Sequence, residues 1–241
     1  MPGYGNAEVT DSVHAQPPQR VFAVIPAFNE GAAIVDVLHE CRRHVHRIVV
    51  VDDASSDDTA QRALMPGVEV LRHPVNLGQG AALQTGITHA LSRGATHVVT
   101  LDADGQHDPA EIGRMLVAME ASHAEVALGS RFKGEAIGIP PVRRAVLQLA
   151  VLFTRLTTGL QVTDCHNGFR VFSAAAAGRL RITQNRMAHA SEVLEEIASK
   201  RMAYVEVPVT IRYTDYSMAK GQSSLNSLNI LLDLVVHWLR K

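Results

Sequence analysis

Two carboxylates one residue apart, Asp102 and Asp104 around Ala103, stand directly after the apolar run His97-Val-Val-Thr-Leu101. A loop leaving a strand at that point can turn both carboxylates into one crevice. Hard oxygen ligands of this kind select Mg2+ or Mn2+, ions that typically bridge one or two carboxylates to substrate phosphates. Gln106 adds an amide oxygen to the same loop, so Asp102, Asp104 and Gln106 are the metal ligands to expect. The competing use of such residues is an Asx turn that caps a helix starting near Pro109. A second acidic pair, Asp52 and Asp53, closes the run Arg47–Val51. There a carboxylate can accept hydrogen bonds from a ribose hydroxyl or a base N–H. Ser55, Ser56 and Asp57 already suffice to cap the short helix that follows, which leaves Asp53 for a ligand. The stretch Asn76-Leu-Gly-Gln-Gly80 begins a helix with glycines, which permit close backbone approach at an end that favours phosphate.

The elements that must position these residues alternate along the chain. Val21–Ile25 is a short apolar run that reads as a buried strand, and Arg47–Val51, Val68–Leu71 and His97–Leu101 read as the next three strands. Between them, Ile34, Val37, Leu38 and Cys41 have helical spacing, 57–64 suits a short helix, and 80–91 reads as a longer one. Strand and helix alternating at this pitch predict βαβ units and a mostly parallel sheet, with ligands at the carboxyl ends of the strands. The chemically suggestive residues do follow the strands: Pro26-Ala-Phe-Asn-Glu30, Asp52-Asp53, His73 to Gly80, and Asp102 to Gln106. The second half is less regular. It predicts a strand at 125–128, an amphipathic helix at 141–158 carrying Arg143, Arg144 and Arg155, a helix at 190–200, a strand at 203–213, and a last apolar helix at 225–239. Residues 1–19 lack periodicity and read as a flexible tail, which leaves 20–241 as one domain.

Bulk composition narrows the classes. Hydrophobic residues make up 46% and charged residues 20% of 241, so one large α/β domain with a buried core is expected. A net charge of -1 argues against a nucleic-acid partner. Cys41 and Cys165 form no CxxC or zinc spacing and read as reduced thiols of the cytoplasm. There is no charged start followed by an apolar run, so no signal peptide is expected, and no stretch reaches the ~18 apolar residues that span a bilayer. The helices at 141–158 and 225–239 could nevertheless lie in the bilayer interface, and peripheral placement on the inner face of the cytoplasmic membrane is the alternative to a free cytoplasmic protein. Packing against the sheet or another subunit competes with that reading, and interface is also the role expected of Trp238. The histidines have no ligand spacing, and His107, beside the acidic loop, is expected at the surface. Neither GxGxxG after the first strand nor GxxxxGK[ST] is present, which counts against dinucleotide binding and P-loop chemistry.

Taken together, Val24-Ile-Pro-Ala-Phe-Asn-Glu30, Val51-Asp-Asp53 with Ser56 to Thr59, Asn76-x-Gly-x-Gly80, Asp102-Ala-Asp104-Gly-Gln106 and Gly129-Ser-Arg131 resemble the family 2 glycosyltransferases, in order and spacing, from about residue 21 to about 215. The Asp-Ala-Asp-Gly-Gln form and Asp164-x-x-Asn-Gly-Phe-Arg170 look like the dolichol-phosphate mannose synthase group. That group extends to bacterial polyprenyl-phosphate glycosyltransferases, and the compact length also looks like the polyprenyl-phospho-N-acetylgalactosaminyl synthases. The resemblance implies a GT-A fold and an inverting, metal-dependent transfer of a sugar from a UDP- or GDP-sugar to a polyprenyl phosphate. It implies that Pro26, Phe28, Glu30, Val51 and Asp53 hold the nucleoside. Asp102, Ala103 and Asp104, with Gln106, would hold metal and diphosphate, Arg131 would neutralise phosphate, and Lys220 would face the diphosphate. Asp104, Arg131 and Lys220 would carry catalysis.

The group's arginine six residues before that lysine is Thr214 here, and Arg212, on the same face of an extended strand, is the candidate substitute. Arg143 and Arg144 are candidates for an acceptor phosphate. With the group's usual anchor lacking, a small membrane-protein partner is a candidate for holding the enzyme at the bilayer. The alternative acceptor, a sugar hydroxyl, would need a carboxylate base, for which Asp164 and Glu192 are the candidates. A nucleotide-sugar-binding subunit without activity is the non-enzymatic alternative. A nucleotidylyltransferase would carry a Gly-rich, Arg-containing loop after the first strand, and Pro-Ala-Phe-Asn-Glu is not one.

Overall fold

A computed structural model describes residues 19–185 and 188–213. Most of the expected tail, the apolar stretch 225–239 with Trp238, and Thr214 and Lys220 lie outside these residues.

Seven strands form one sheet in the order β3-β2-β1-β4-β6-β5-β7. They are β1 (Val21–Ala27), β2 (Arg47–Asp52), β3 (Val68–Arg72), β4 (His97–Thr100), β5 (Val126–Ile137), β6 (Arg170–Ser173) and β7 (Tyr204–Arg212). β6 runs antiparallel to β4 and β5, and every other neighbouring pair is parallel. The helices are α1 (Ile34–Cys41), α2 (Thr59–Arg62), α3 (Gln79–Ser92), α4 (Ile112–Ser122), α5 (Pro141–Thr158), α6 (Ala174–Arg179) and α7 (His189–Ser199). Side chains alternate across the pleat. Phe22 and Val24 of β1 face one core layer with Ala82, Leu83 and Ile87 of α3 and Val193, Leu194 and Ile197 of α7. Val21, Ala23 and Ile25 face the other, with Ile34, Val37, Leu38 and Cys41 of α1 and Met115 and Met119 of α4. Both faces are covered, which is why the central strands read as continuous apolar runs rather than alternating ones.

The regular first half matches the sequence reading to within two or three residues at most ends. Three elements of the second half depart from it. β6 and α6 were not expected, because four residues of strand and six of alanine-rich helix carry no period long enough to read. β5 is much longer than the expected 125–128. Its pairing with β7 shifts between Ser130↔Pro208 and Glu135↔Thr210, so a bulge accommodates Arg131 to Gly134 opposite Val209. Gly134 is required there, since a Cβ would lie 2.3 Å from the Val209 carbonyl oxygen.

Candidate functional site

The acidic loop leaves β4 at the centre of the sheet, beside the switch from parallel to antiparallel pairing. Asp108, not Asp102 or Asp104, caps the following turn: its Oδ1 accepts the Ala110 N–H at 3.0 Å. Asp104 does make a local turn, its Oδ1 accepting the Gln106 N–H at 3.0 Å. Asp102 is held from two sides. Gln79 Nε2 donates to its Oδ1 at 2.8 Å, and Gly168 lies so close that a Cβ would sit 2.8 Å from Oδ2.

His107 is not at the surface as expected; it is 9% exposed and forms the floor of this loop. Burial pushes it down to about 4, so it is neutral at pH 7. Its Nδ1 accepts the Asp102 N–H at 3.2 Å, which leaves the proton on Nε2 to donate to Asn167 Oδ1, also at 3.2 Å. The ring packs 5.3 Å from the Phe169 ring. A lone histidine carries no spacing signal, so only its position beside the acidic pair could have pointed to it.

Asp53 faces its own chain. Oδ1 accepts from His73 Nδ1 at 2.7 Å and from the Leu77 N–H at 2.9 Å, and Oδ2 accepts from the Gly78 N–H at 2.6 Å. His73 Nε2 lies 3.0 Å from Thr85 Oγ1. At the helix start expected to cradle phosphate, the Leu77, Gly78 and Gly80 N–H groups are therefore bound internally, the last donating to Asn185 O at 3.0 Å. The close backbone approach that Gly80 permits is to Gln184, whose carbonyl oxygen would be 2.0 Å from a Cβ. Pro26 pairs with Val51 across β1 and β2. Val51 is buried in the core beside Gly86, so what it can offer a nucleoside is confined to its backbone. Phe28, 43% exposed, presents an aromatic face beyond β1, and the Glu30 N–H donates to Thr59 Oγ1 at 2.8 Å.

The bulge in β5 directs Arg131 inward. Its Nε donates to Asp164 Oδ2 at 2.7 Å, Nη1 to the Tyr213 hydroxyl at 2.6 Å, and Nη2 to His166 O at 3.1 Å. Asp164 raises the guanidinium well above its ordinary value against the cost of burial, which keeps it charged. Arg170 is buried nearby, and although burial pulls it down to about 10, it too remains a cation at neutral pH. Arg143 of α5 stacks 5.1 Å from the Tyr213 ring centroid, so this tyrosine links Arg143 to Arg131. Arg144 is exposed on the same turn.

The two carboxylates considered as bases are committed elsewhere. Asp164 anchors Arg131 and accepts the His166 N–H at 3.3 Å. Glu192 holds the N–H groups of Thr183 and Gln184 at 3.0 and 2.8 Å. Arg212 lies at the outer side of the acidic loop, with Nη2 3.4 Å from Asp108 Oδ2 and its N–H on Gln106 O. Cys41 and Cys165 are buried free thiols, each pushed up to about 12 by burial. Of the residues that matter here, Gln79, His107, Asn167, Arg170 and Tyr213 had no assigned role in the sequence, although the Asp164 to Arg170 motif marked two of them.

The acidic pair fits a divalent cation. Burial raises both carboxylates, and Asp102 adds to the shift that brings Asp104 to about 6. Two partly buried oxygen donors that repel each other are relieved by a hard cation, which completes its shell with water and phosphate. Among the described residues no group of three or more His, Cys, Asp or Glu side chains is arranged to hold a metal ion. Gln106 contributes backbone contacts to this loop.

Comparison with known proteins gives consistent results. The profile described as Glycosyl transferase family 2 matches residues 22–181. The UDP-N-acetylglucosamine–dolichyl-phosphate N-acetylglucosaminyltransferase of Methanococcus voltae is 31% identical over 240 residues, covering 90% of this chain and 95% of that protein. The polyprenol monophosphomannose synthase of Mycolicibacterium smegmatis is 29% identical over 242 residues, covering 95% and 90%. Among solved structures, glucosyl-3-phosphoglycerate synthase from Mycobacterium tuberculosis, in complex with Mn2+, UDP and phosphoglyceric acid, aligns with a TM-score of 0.66 at 20% identity, covering 90% of this chain and 78% of that one. At that identity the likeness concerns the fold alone.

Proposed function

The chain belongs to glycosyltransferase family 2 and has the GT-A fold, and we propose that this glycosyltransferase moves a sugar from a nucleoside diphosphate to the phosphate oxygen of a polyprenyl phosphate, with Mg2+ or Mn2+ at Asp102 and Asp104. The observation that carries the acceptor class is the commitment of Asp164 and Glu192 to internal bonds. A hydroxyl acceptor needs a base to take its proton, whereas a lipid phosphate is already ionised at pH 7. The names of the dolichyl-phosphate and polyprenol relatives support the same class, and the Mn2+ and UDP of the solved structure support the donor and the cation.

In this reading the acceptor oxygen attacks the anomeric carbon from the face opposite the diphosphate, the bond from that carbon to the diphosphate oxygen breaks, and the configuration inverts. The cation, when bound, neutralises charge on the leaving diphosphate. The chain's own residues do the rest. Phe28 offers an exposed aromatic face to the base, and Pro26, Glu30 and Val51 line the same strand end. Asp53 acts on the nucleoside through the loop it anchors. The charges of Arg170 and Arg131 favour the ionised form of Asp102 against the cost of its burial. Arg143, aligned through Tyr213, and exposed Arg144 would receive the acceptor phosphate. Lys220 and Arg212 remain proposed diphosphate contacts, Lys220 being outside the described residues.

The lipid acceptor also gives a use to α5. Val142, Leu149, Leu152 and Leu156 are each more than half exposed, and the helix opens with Arg143 and Arg144. An apolar stripe with basic residues suits the interface of an anionic bilayer. Among the described residues no helix is long and apolar enough to cross a membrane, so peripheral attachment, directly or through a membrane-protein partner, is the arrangement proposed. The test is transfer of radiolabelled sugar from a panel of UDP- and GDP-sugars into undecaprenyl phosphate with Mg2+, Mn2+ or EDTA. Label in the lipid fraction that requires the cation is expected; label that persists in EDTA would refute the metal role.

A further inference from the structure

The loop between β3 and α3 places one side chain where neither the family resemblance nor the donor reading assigns a role. Gln79 is the first residue of α3, and its backbone is clamped on both sides. Before it, the Gly78 N–H is bound to Asp53 Oδ2 at 2.6 Å, with Gly78 at a φ of 96° that favours glycine. After it, the Gly80 N–H is bound to Asn185 O at 3.0 Å, and no space remains for a side chain on Gly80. The Gln79 side chain then crosses to Asp102 and donates Nε2–H to Oδ1 at 2.8 Å. The other oxygen of Asp102 lies against Gly168 and 3.9 Å from His107 Nε2.

We propose that Gln79 is a positioning residue for the acidic pair: its amide fixes the rotamer of the Asp102 carboxylate, and through Gly78 it ties that carboxylate to Asp53 at the nucleoside end. The geometry follows from elementary chemistry. A carboxylate on a loop has a broad, roughly two-fold terminal torsion, and a cation bridging it to phosphate requires one orientation. A bond to one oxygen from an amide whose backbone is fixed selects that orientation before the ligand arrives. A neutral donor does so without competing with the cation as an ammonium would. Residues that orient a metal's ligands in this way typically change metal affinity by roughly 10- to 100-fold when lost.

The inference rests on the reading of Asp102 and Asp104 as metal ligands, and the experiment separates the two. Free Mn2+ is measured by electron paramagnetic resonance during titration of the full chain with saturating UDP and, in parallel, with saturating GDP. Wild-type protein is compared with Gln79→Ala and with Gln79→Asn, which keeps an amide one methylene too short to reach. Both variants are expected to bind Mn2+ about tenfold or more weakly, while nucleotide binding measured without metal stays within twofold of wild type. Variants with wild-type Mn2+ affinity would overturn the positioning role and leave the metal site standing. An equal loss of metal-free nucleotide binding would overturn it too, by assigning the effect to collapse of the loop. Wild-type protein that takes up no Mn2+ with either nucleotide would remove the metal reading, and this inference with it.

Discussion

At the scale of single residues the site depends on closeness that only small or neutral groups permit. Gly168 touches the Asp102 carboxylate, and a Cβ there would meet both oxygens at 2.8 and 3.0 Å. Gly168→Ala must push that carboxylate off its bond from Gln79. The expected result is a fall in transfer activity of at least about tenfold, by analogy with losing a residue that orients a metal ligand, with little change in the thermal midpoint; activity within twofold of wild type would show that Asp102 need not be held there. The acidic pair itself was legible in the sequence because two carboxylates after a strand make a pattern. His107 was not, because its role comes from burial and from one backbone N–H, neither of which leaves a mark on spacing. Asp53 was half legible. Its position after β2 pointed to the site, but its partners, Leu77, Gly78 and His73, come from the loop after β3, and only the folded chain brings them within 3 Å.

At the scale of elements, the parallel half of the sheet could be read directly. Strands buried on both faces are continuous apolar runs, and β1 to β4 each end where a turn or an acidic residue begins. The antiparallel insertion could not. β6 is four residues that begin at Arg170, the last residue of a motif whose polar members bond across the fold, Asp164 to Arg131, Asn167 to His107 and Arg170 to the Ala190 carbonyl, rather than marking a strand pattern. The outer half of β5 reads Gly-Ser-Arg-Phe-Lys-Gly-Glu, a composition that hides a bulged strand. The start of α3 was read as a phosphate cradle from its glycines, whereas Gly80 makes room for the 184–185 backbone. Gly80→Ala places a Cβ 2.0 Å from the Gln184 carbonyl oxygen and 2.9 Å from His189 Cβ. Overpacking against backbone costs about 1 to 3 kcal/mol. The expected outcome is a loss of that size in urea unfolding; an unchanged midpoint would mean that the junction of α3 with the loop before α7 yields at no cost.

At the scale of the molecule, the proposed site and the proposed bilayer face are consecutive along the chain. β5 carries Arg131 into the site and leads directly into α5, whose exposed leucines and opening arginines make the proposed bilayer face. Replacing Leu149, Leu152 and Leu156 together by serine removes exposed apolar area and should leave the core intact, since all three are more than half exposed. At roughly 25 cal/mol per Å2 of apolar surface, losing three leucines from a bilayer contact should weaken co-sedimentation with phosphatidylglycerol vesicles by at least about tenfold. Transfer to a short-chain, water-soluble polyprenyl phosphate should persist. Unchanged vesicle binding would instead leave this face to a protein contact.

The account stands most directly on the identity of the accepting atom. A single assay offers the active nucleotide-sugar with two lipids of equal chain length, polyprenyl phosphate and its dephosphorylated polyprenol, and with a sugar hydroxyl acceptor, the products being weighed by mass spectrometry. The expected result is one product, the polyprenyl phosphate heavier by one glycosyl group, formed by wild-type protein and lost in Asp104→Ala. Transfer to the sugar hydroxyl, with the polyprenyl phosphate left unmodified, would contradict it.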